Sequence, residues 1–277
     1  MIELGKTQAL RVLRIKDVGV YLGEPGNEKV SVLLPKRQVP EGTKIGDMLD
    51  VFIYRDSEDR LIATRTAPKL EVGQMAELEV REVTKIGAFL DIGLERDVLL
   101  PYKEQTYRVK AGDRCLAALY TDRSARLAAT MKIYPYLTAD SPYHKDDRVT
   151  GRVYEKSDNW GLFVAVDNQY MGLIPTRELF GDVRLGDVVE ARVARVHEDG
   201  KLDLSLRERR ENQMDIDAQT ILTVIDEYDG VLPFGEKVSP EIIKREFNMS
   251  KNAFKRALGH LLKAGAVEIT EKYIKRK

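Results

Sequence analysis

The chain has 277 residues, 43% of them hydrophobic and 32% charged, and its 45 Lys and Arg are balanced by 45 Asp and Glu. That composition is ordinary for a globular protein and excludes the disordered class, while zero net charge argues against a simple polybasic nucleic-acid binder. No run of about 18 apolar residues exists to span a bilayer, and Met1-Ile2-Glu3-Leu4-Gly5-Lys6 has no apolar signal core, so the expected location is the cytoplasm and no membrane partner is expected.

Turn residues recur three times along the chain. Gly19, Pro35 and Gly46-Asp47 return as Gly87, Pro101 and Gly112-Asp113, then as Gly161, Pro175 and Gly186-Asp187. The Gly-to-Pro interval is 16, 14 and 14 positions, the Pro-to-Gly interval is 11 in every copy, and Gly5 and Gly73 stand 14 before the first glycine of their copies. Fixed spacing of this kind marks the unit of folding.

Within each copy the hydrophobic period is two, clearest in Glu77-Leu78-Glu79-Val80-Arg81. Repeat one predicts strands at 8–15, 18–22, 30–34, 48–54 and 60–64; repeat two at 77–81, 88–92, 97–101, 115–120 and 126–130; repeat three at 148–154, 162–166, 171–174, 188–196 and 201–206. The third strand stops at a proline, which has no ladder donor to offer. Five short antiparallel strands cannot bury both faces of a flat sheet, so each copy is expected to close into the five-stranded oligonucleotide/oligosaccharide-binding (OB) barrel. Tyr54 and Tyr120 read as closure residues of such barrels, and Cys115, beside Leu116 and Ala117, as a buried thiol.

Thr66-Ala67-Pro68-Lys69 links the first two copies. Met131 to Asp147, with Pro135, Pro142, Tyr134, Tyr136, Tyr143 and His144, is long enough to pack as an ordered strap before the third. Arg207-Glu208-Arg209-Arg210-Glu211-Asn212 switches the chain from strand to helix, and from Ile216 the period becomes 3.6, with Ile221, Leu222 and Ile225 on one face.

Ser239-Pro240 opens a second helix carrying Ile242, Ile243 and Phe247; Ser250 caps a third, stopped by Gly265. Its stripe is Phe254, Leu258, Leu261 and Leu262, opposite Asn252, Lys255, Arg256, Gly259 and Lys263. Residues 266–270 and 272–275 pair as a hairpin, which completes a winged-helix layout. Residues 214–236 hold six acids and no base, whereas 237–277 hold eleven Lys and Arg against four Glu, a difference of +7. The expected class is thus mainly β: barrels at 1–66, 67–138 and 139–210, then a small α+β winged helix at 211–277.

Certain runs carry a resemblance. Trp160 to Val166, Met171-Gly172-Leu173-Ile174-Pro175-Thr176-Arg177-Glu178-Leu179, Leu185-Gly186-Asp187-Val188-Val189 and Asp199 to Leu206 together resemble the ribosomal protein S1-type RNA-binding domain. The diverged first two copies share Asp56-Ser57-Glu58-Asp59-Arg60-Leu61-Ile62-Ala63-Thr64 and Asp122-Arg123-Ser124-Ala125-Arg126-Leu127-Ala128-Ala129-Thr130. Three such barrels before a winged helix are similar to the bacterial conserved virulence factor B (YitL-like) family over almost the full chain. The resemblance implies RNA binding and a link to virulence or stress gene expression. It also implies a cation on the RNA face at the start of each fifth strand, here Arg60, Arg126 and Lys201. A histidine or other stacking group after the third strand is replaced by Pro35, Pro101 and Pro175, which leaves each barrel weaker and calls for several in series.

On a regular strand residues 160 and 163 face opposite sides, but a bulge or kink at Gly161 turns both rings to one surface. Trp160 and Phe163 would then form a platform for splayed bases, worth roughly 1–3 kcal/mol per base; the bland alternative has the rings covering the barrel mouth or packing on a neighbour. The equivalent places hold Ile86 and Phe89, and Val18 and Tyr21. Arg37, Lys103 and Arg177, after the third-strand prolines, would supply phosphate contacts, and Asn252, Lys255, Arg256, Lys272 and Lys275 would do so in the winged helix.

His144, His197 and His260 lie in separate segments, and no metal-ligand spacing, phosphate-binding glycine loop or nucleophile constellation occurs. Neither a metal, a cofactor nor catalysis is expected. The expectation is a monomeric, non-catalytic regulator of gene expression that binds single-stranded RNA. Two alternatives stay open, a transcription regulator reading DNA through the winged helix and a protein-interaction scaffold.

Overall fold

The computed structural model describes residues 2–56, 58–179, 182–206, 210–235 and 237–277. Ser57, Glu236 and residues 207–209 of the expected strand-to-helix switch at 207–212 lie outside them. The chain divides into two compact units, Met1–Leu206 and Arg207–Lys277. No helix among the described residues is long and apolar enough to cross a membrane.

The first unit holds three closed five-stranded barrels. Barrel one is β1 (Thr7–Lys16), β2 (Gly19–Glu24), β3 (Asn27–Pro35), β4 (Met48–Arg55) and β5 (Leu61–Thr64). Barrel two is β6 (Met75–Val83), β7 (Gly87–Asp91), β8 (Val98–Pro101), β9 (Arg114–Thr121) and β10 (Leu127–Thr130). Barrel three is β11 (Arg148–Ser157), β12 (Gly161–Val166), β13 (Tyr170–Pro175), β14 (Val188–Val196) and β15 (Leu202–Ser205). In each, the first strand pairs antiparallel with the second and fourth, and the third and fifth run parallel, as at Leu33 beside Ile62 and Gly172 beside Leu202. The interiors are aliphatic: Leu10, Val12, Leu22 and Ile53 in the first barrel; Leu78, Val80, Leu90 and Leu119 in the second; Val153, Val164, Val193 and Leu204 in the third. Cys115 lies in the second core, where burial pushes its thiol up to about 12 and leaves it inert.

The repeated punctuation now has a physical basis. Each Gly–Pro interval is a cross-strand pair: Gly19 faces Pro35, Gly87 faces Pro101 and Gly161 faces Pro175. At Gly161 the backbone has φ +126°, and a Cβ would lie 2.0 Å from the Ile174 carbonyl oxygen, so only glycine fits. In each Gly-Asp pair the glycine N–H donates to the first strand, to Val12, Val80 and Val153 at 2.8 Å, beside a bulge that recurs in all three copies. The aspartate closes its own turn by accepting from the N–H three residues earlier, Asp47 from Lys44, Asp113 from Lys110 and Asp187 from Arg184. The third copy has no glycine matching Gly5 and Gly73. Asp146 takes that role at φ +78°, its N–H donating to Val193 O at 2.7 Å, because aspartate tolerates the left-handed region better than most residues.

Three expectations need correction here. The bulge is not in β12, whose pairing with β13 runs unshifted; it lies in β11 between Val153 and Glu155, and Gly161 contributes a kink alone. The fifth strands begin one residue late, so Arg60, Arg126 and Lys201 sit in the preceding turn, where Arg60 and Lys201 pair with that turn's Asp56 and Asp199 while the Arg126 side chain reaches Asp59 of barrel one. Tyr54 is buried between barrels one and two instead of simply closing one.

The second unit is α1 (Arg210–Glu227), β16 (Val231–Leu232), α2 (Pro240–Phe247), α3 (Lys251–Lys263), β17 (Val267–Ile269) and β18 (Ile274–Arg276), with β18 central in a three-stranded sheet. Ser239 and Ser250 cap α2 and α3 by accepting from Ile242 N and Ala253 N. Phe247 and Phe254, with ring centroids 4.9 Å apart, centre its core. Leu262, read as part of the apolar stripe, is instead exposed; Ala257 takes the inward place.

Candidate nucleic-acid interface

Barrel three gathers most of its candidate residues into one open groove of about 740 Å³. Trp160 occupies the turn entering β12 and is 65% exposed. Its carbonyl accepts from Thr176 N at 3.1 Å, which ties it to the β13 end, and Gly161 behind it sets the ring's direction. Phe163 lies half-buried two residues along β12 and lines the same groove, so the kink does bring both rings to one surface. Phe163 also packs against Tyr154, centroids 6.3 Å apart, at the margin of an apolar cluster of Leu116, Ile133 and Leu137 that joins barrels two and three. This ring therefore both lines the groove and packs against a neighbour.

Two cations border the rings. Arg177, in the short helical turn 176–178 after Pro175, is exposed and forms no ion pair among the described residues. Lys201 bonds Asp199 at 2.8 Å, and that carboxylate, followed by the Tyr134 hydroxyl, raises the ammonium's pKa. His197 faces Asp203, Nε2 to Oδ1 3.0 Å, and lines the groove as well. Neither His197 nor Tyr134 stood out in the sequence as a site residue, since one sits on a hairpin arm and the other in a linker.

In barrel two Phe89 is half-buried and shares a groove of about 400 Å³ with Ile86, Pro101 and Arg126. The other wall belongs to barrel one: Tyr54, Asp56 and Asp59. Arg126 Nε meets Asp59 Oδ1 at 3.0 Å, and Arg55 Nε donates to Ala125 O at 2.8 Å. Lys103 is exposed but does not line this groove.

In barrel one Tyr21 lines a shallow groove of about 450 Å³ with Arg14, Lys16 and Val18, and the Arg14 guanidinium stands 5.0 Å from its ring centroid. The predicted cations do not line this groove. Arg37 pairs with Glu95 of barrel two, and Arg60 pairs with Asp56 at 2.8 Å and Glu58 at 2.7 Å. Arg14 and Lys16 went unnoticed because β1 reads simply as an alternating strand. Val18 and Ile86, equivalent to Trp160, are 58% and 60% exposed; the position before the kinked glycine faces outward in every barrel, but only barrel three places an aromatic ring there.

In the second unit Asn252, Lys255 and Arg256 project from the outer face of α3, and Lys272 and Lys275 are exposed on the hairpin. None of these four cations forms an ion pair among the described residues.

Family models match nearly the whole chain: the S1 domain at residues 4–66 and 72–132, the second domain of virulence regulatory factor CvfB at 136–208, and the CvfB-like winged helix domain at 219–275. YitL of Bacillus subtilis is 34% identical over 273 residues, covering 95% of this chain and 90% of that protein. The chain belongs to the conserved virulence factor B family. Conserved virulence factor B of Staphylococcus aureus strain N315 is 31% identical over 279 residues, 96% of this chain and 91% of the relative. A crystal structure of a multidomain protein with nucleic acid binding domains from Streptococcus pneumoniae aligns over 99% of this chain and 98% of its own, at 26% identity and TM-score 0.52. The S1 model falls on the two diverged barrels, and barrel three, whose sequence carries the fullest S1 resemblance, is matched by a model of the family's own that begins in the strap. S1 barrels and a winged helix place the chain among nucleic-acid-binding proteins.

Proposed function

We propose that this virulence factor B family member is a non-catalytic, cytoplasmic, monomeric regulator of gene expression that binds single-stranded RNA. Its principal site is the groove of Trp160, Phe163, Arg177 and Lys201. Phe89 with Lys103 and Arg126, Tyr21 with Arg37 and Arg60, and the α3 and hairpin cations add weaker contacts. The carrying observation is an exposed indole beside a second ring and a guanidinium that has no ion pair among the described residues, all in one groove. Flat rings stack any base and the guanidinium takes the phosphate, which suits an unpaired strand whose bases are free to splay.

Trp160 is the only tryptophan of the chain, so intrinsic fluorescence reports on this groove directly. Titration with single-stranded RNA should quench it, and Trp160→Ala with Phe163→Ala should weaken binding of labelled RNA while the fold survives. Unchanged affinity in that double variant rejects the platform. A salt titration with single-stranded RNA, single-stranded DNA and duplex DNA counts the phosphates engaged and ranks the ligands.

Lys255 and Arg256 on α3, exposed and without an ion pair among the described residues, favour a second reading in which the winged helix holds duplex DNA. Loss of duplex binding in Lys255→Ala with Arg256→Ala, with RNA binding intact, would select it.

A further inference from the structure

We infer that Tyr134, contributed by the strap that precedes barrel three, is a third nucleobase-stacking residue of the groove, so that the binding site extends beyond the barrel. The inference rests on the proposed RNA-binding role of that groove.

The strap is built to hold this ring in place. Ile133 and Leu137 are buried on either side, anchored in the cluster that joins barrels two and three, whereas Tyr134 between them is 44% exposed. A short helical turn at Tyr134–Tyr136 fixes the backbone, with Leu137 N donating to Tyr134 O at 3.3 Å. Beyond it the strap pairs with β13: Thr138 N donates to Gln169 O, and Met171 N to Thr138 O, both at 3.0 Å. Ser141 Oγ donates to Gly200 O at 3.0 Å, which ties the strap to the turn carrying Lys201.

A large ring left half in water between two buried anchors gains nothing for the core by its exposure. It lines the same groove as Trp160 and Phe163, and its hydroxyl lies near enough to Lys201 to help raise that ammonium's pKa after Asp199. Pro175, at the end of β13, supplies no π face to that groove. Tyr134 supplies one from outside the barrel, on a backbone pinned at both ends, so little ordering entropy is lost when a base lands on it.

The test uses the full chain with single-stranded RNA, read by Trp160 fluorescence, against Tyr134→Ala, Tyr134→Leu and Tyr134→Phe. A base lost from a stacking ring lowers affinity on the order of 10- to 100-fold. Tyr134→Ala and Tyr134→Leu should both show that loss, Leu keeping apolar bulk in case Ala unsettles the strap, and Tyr134→Phe should stay close to wild type. Wild-type affinity in both Ala and Leu variants overturns the inference, as does a Phe variant as weak as Ala, which would assign the effect to the hydroxyl and Lys201. Absence of quenching in the wild-type protein would instead overturn the proposed function of the groove itself.

Discussion

Arg126 in barrel two and Asp59 in barrel one form an ion pair across the barrel boundary, 3.0 Å from Nε to Oδ1. The cation that the S1 resemblance places on the RNA face of barrel two is therefore held by the neighbouring barrel. The pair lowers the Asp59 pKa and raises that of Arg126, in both cases chiefly through this hydrogen bond. Both side chains are substantially exposed, so their contribution to stability is small, and the consequence belongs to binding.

Asp59→Asn should free Arg126 for phosphate. The slope of log affinity against log salt for single-stranded RNA should steepen by about 0.7, the value of one added contact to a single strand, with the melting temperature nearly unchanged. An unaltered slope would mean that barrel two does not engage RNA through this residue.

Gly161 should be the least replaceable residue of the groove. Gly161→Ala forces a side chain into positive φ and against the Ile174 carbonyl, at a cost of at least about 3 kcal/mol. Gly26→Ala, also at positive φ but with nothing within 4 Å, should cost about 1–2 kcal/mol. Denaturant unfolding of both variants, followed by Trp160 fluorescence and far-UV circular dichroism, checks the ordering. Equal costs would remove the packing explanation for the repeated Gly–Pro pair.

Asp91 ties the first linker to barrel two. Its Oδ2 accepts from Lys69 Nζ at 2.8 Å and from Arg81 at 2.7 Å, and its Oδ1 from Gly93 N at 2.8 Å. Lys69 foremost, then the Gly93 N–H and Arg81, hold the carboxyl at about 2. A depressed carboxylate stabilises the folded state above its unfolded value of about 4, and that stabilisation is lost as pH falls through the folded value. Thermal stability should thus drop between about pH 4 and pH 2, and Asp91→Asn should be less stable at neutral pH with a flatter profile in that window. Parallel pH profiles for the two proteins would refute the assignment.

Lys255 and Arg256 together should count as two phosphate contacts if the winged helix joins in RNA binding. Their replacement by alanine would then shrink the salt slope by about 1.4, two contacts at roughly 0.7 each. A slope that stays put for RNA but falls for duplex DNA would assign α3 to the other ligand.

Period-two patterning and the Gly, Pro and Asp spacing determined three closed barrels and their strand order of service, because each turn residue answers a local backbone demand that the sequence states openly. Serine caps and a 3.6 period did the same for the helices. The strand β16, two residues long, left no periodic signal, and Leu262 looked inward because helical spacing alone cannot say where a neighbouring element stops.

Side-chain partnership was decided by tertiary structure. The sequence marked Trp160, Phe163, Arg177 and Lys201 as neighbours since one barrel's turns bring them together. It did not show Asp59 reaching Arg126, Glu95 reaching Arg37, or Tyr134 entering the groove from a linker. Those contacts join residues of different repeats or of a strap and a barrel: the cluster of Leu116, Ile133 and Leu137 sets the strap against barrels two and three, and barrels one and two are tied separately, as by the bond from Val72 N to Gly5 O at 2.9 Å. Local turn chemistry specifies each barrel; burial between barrels determines which of their charged and aromatic groups remain open to a ligand.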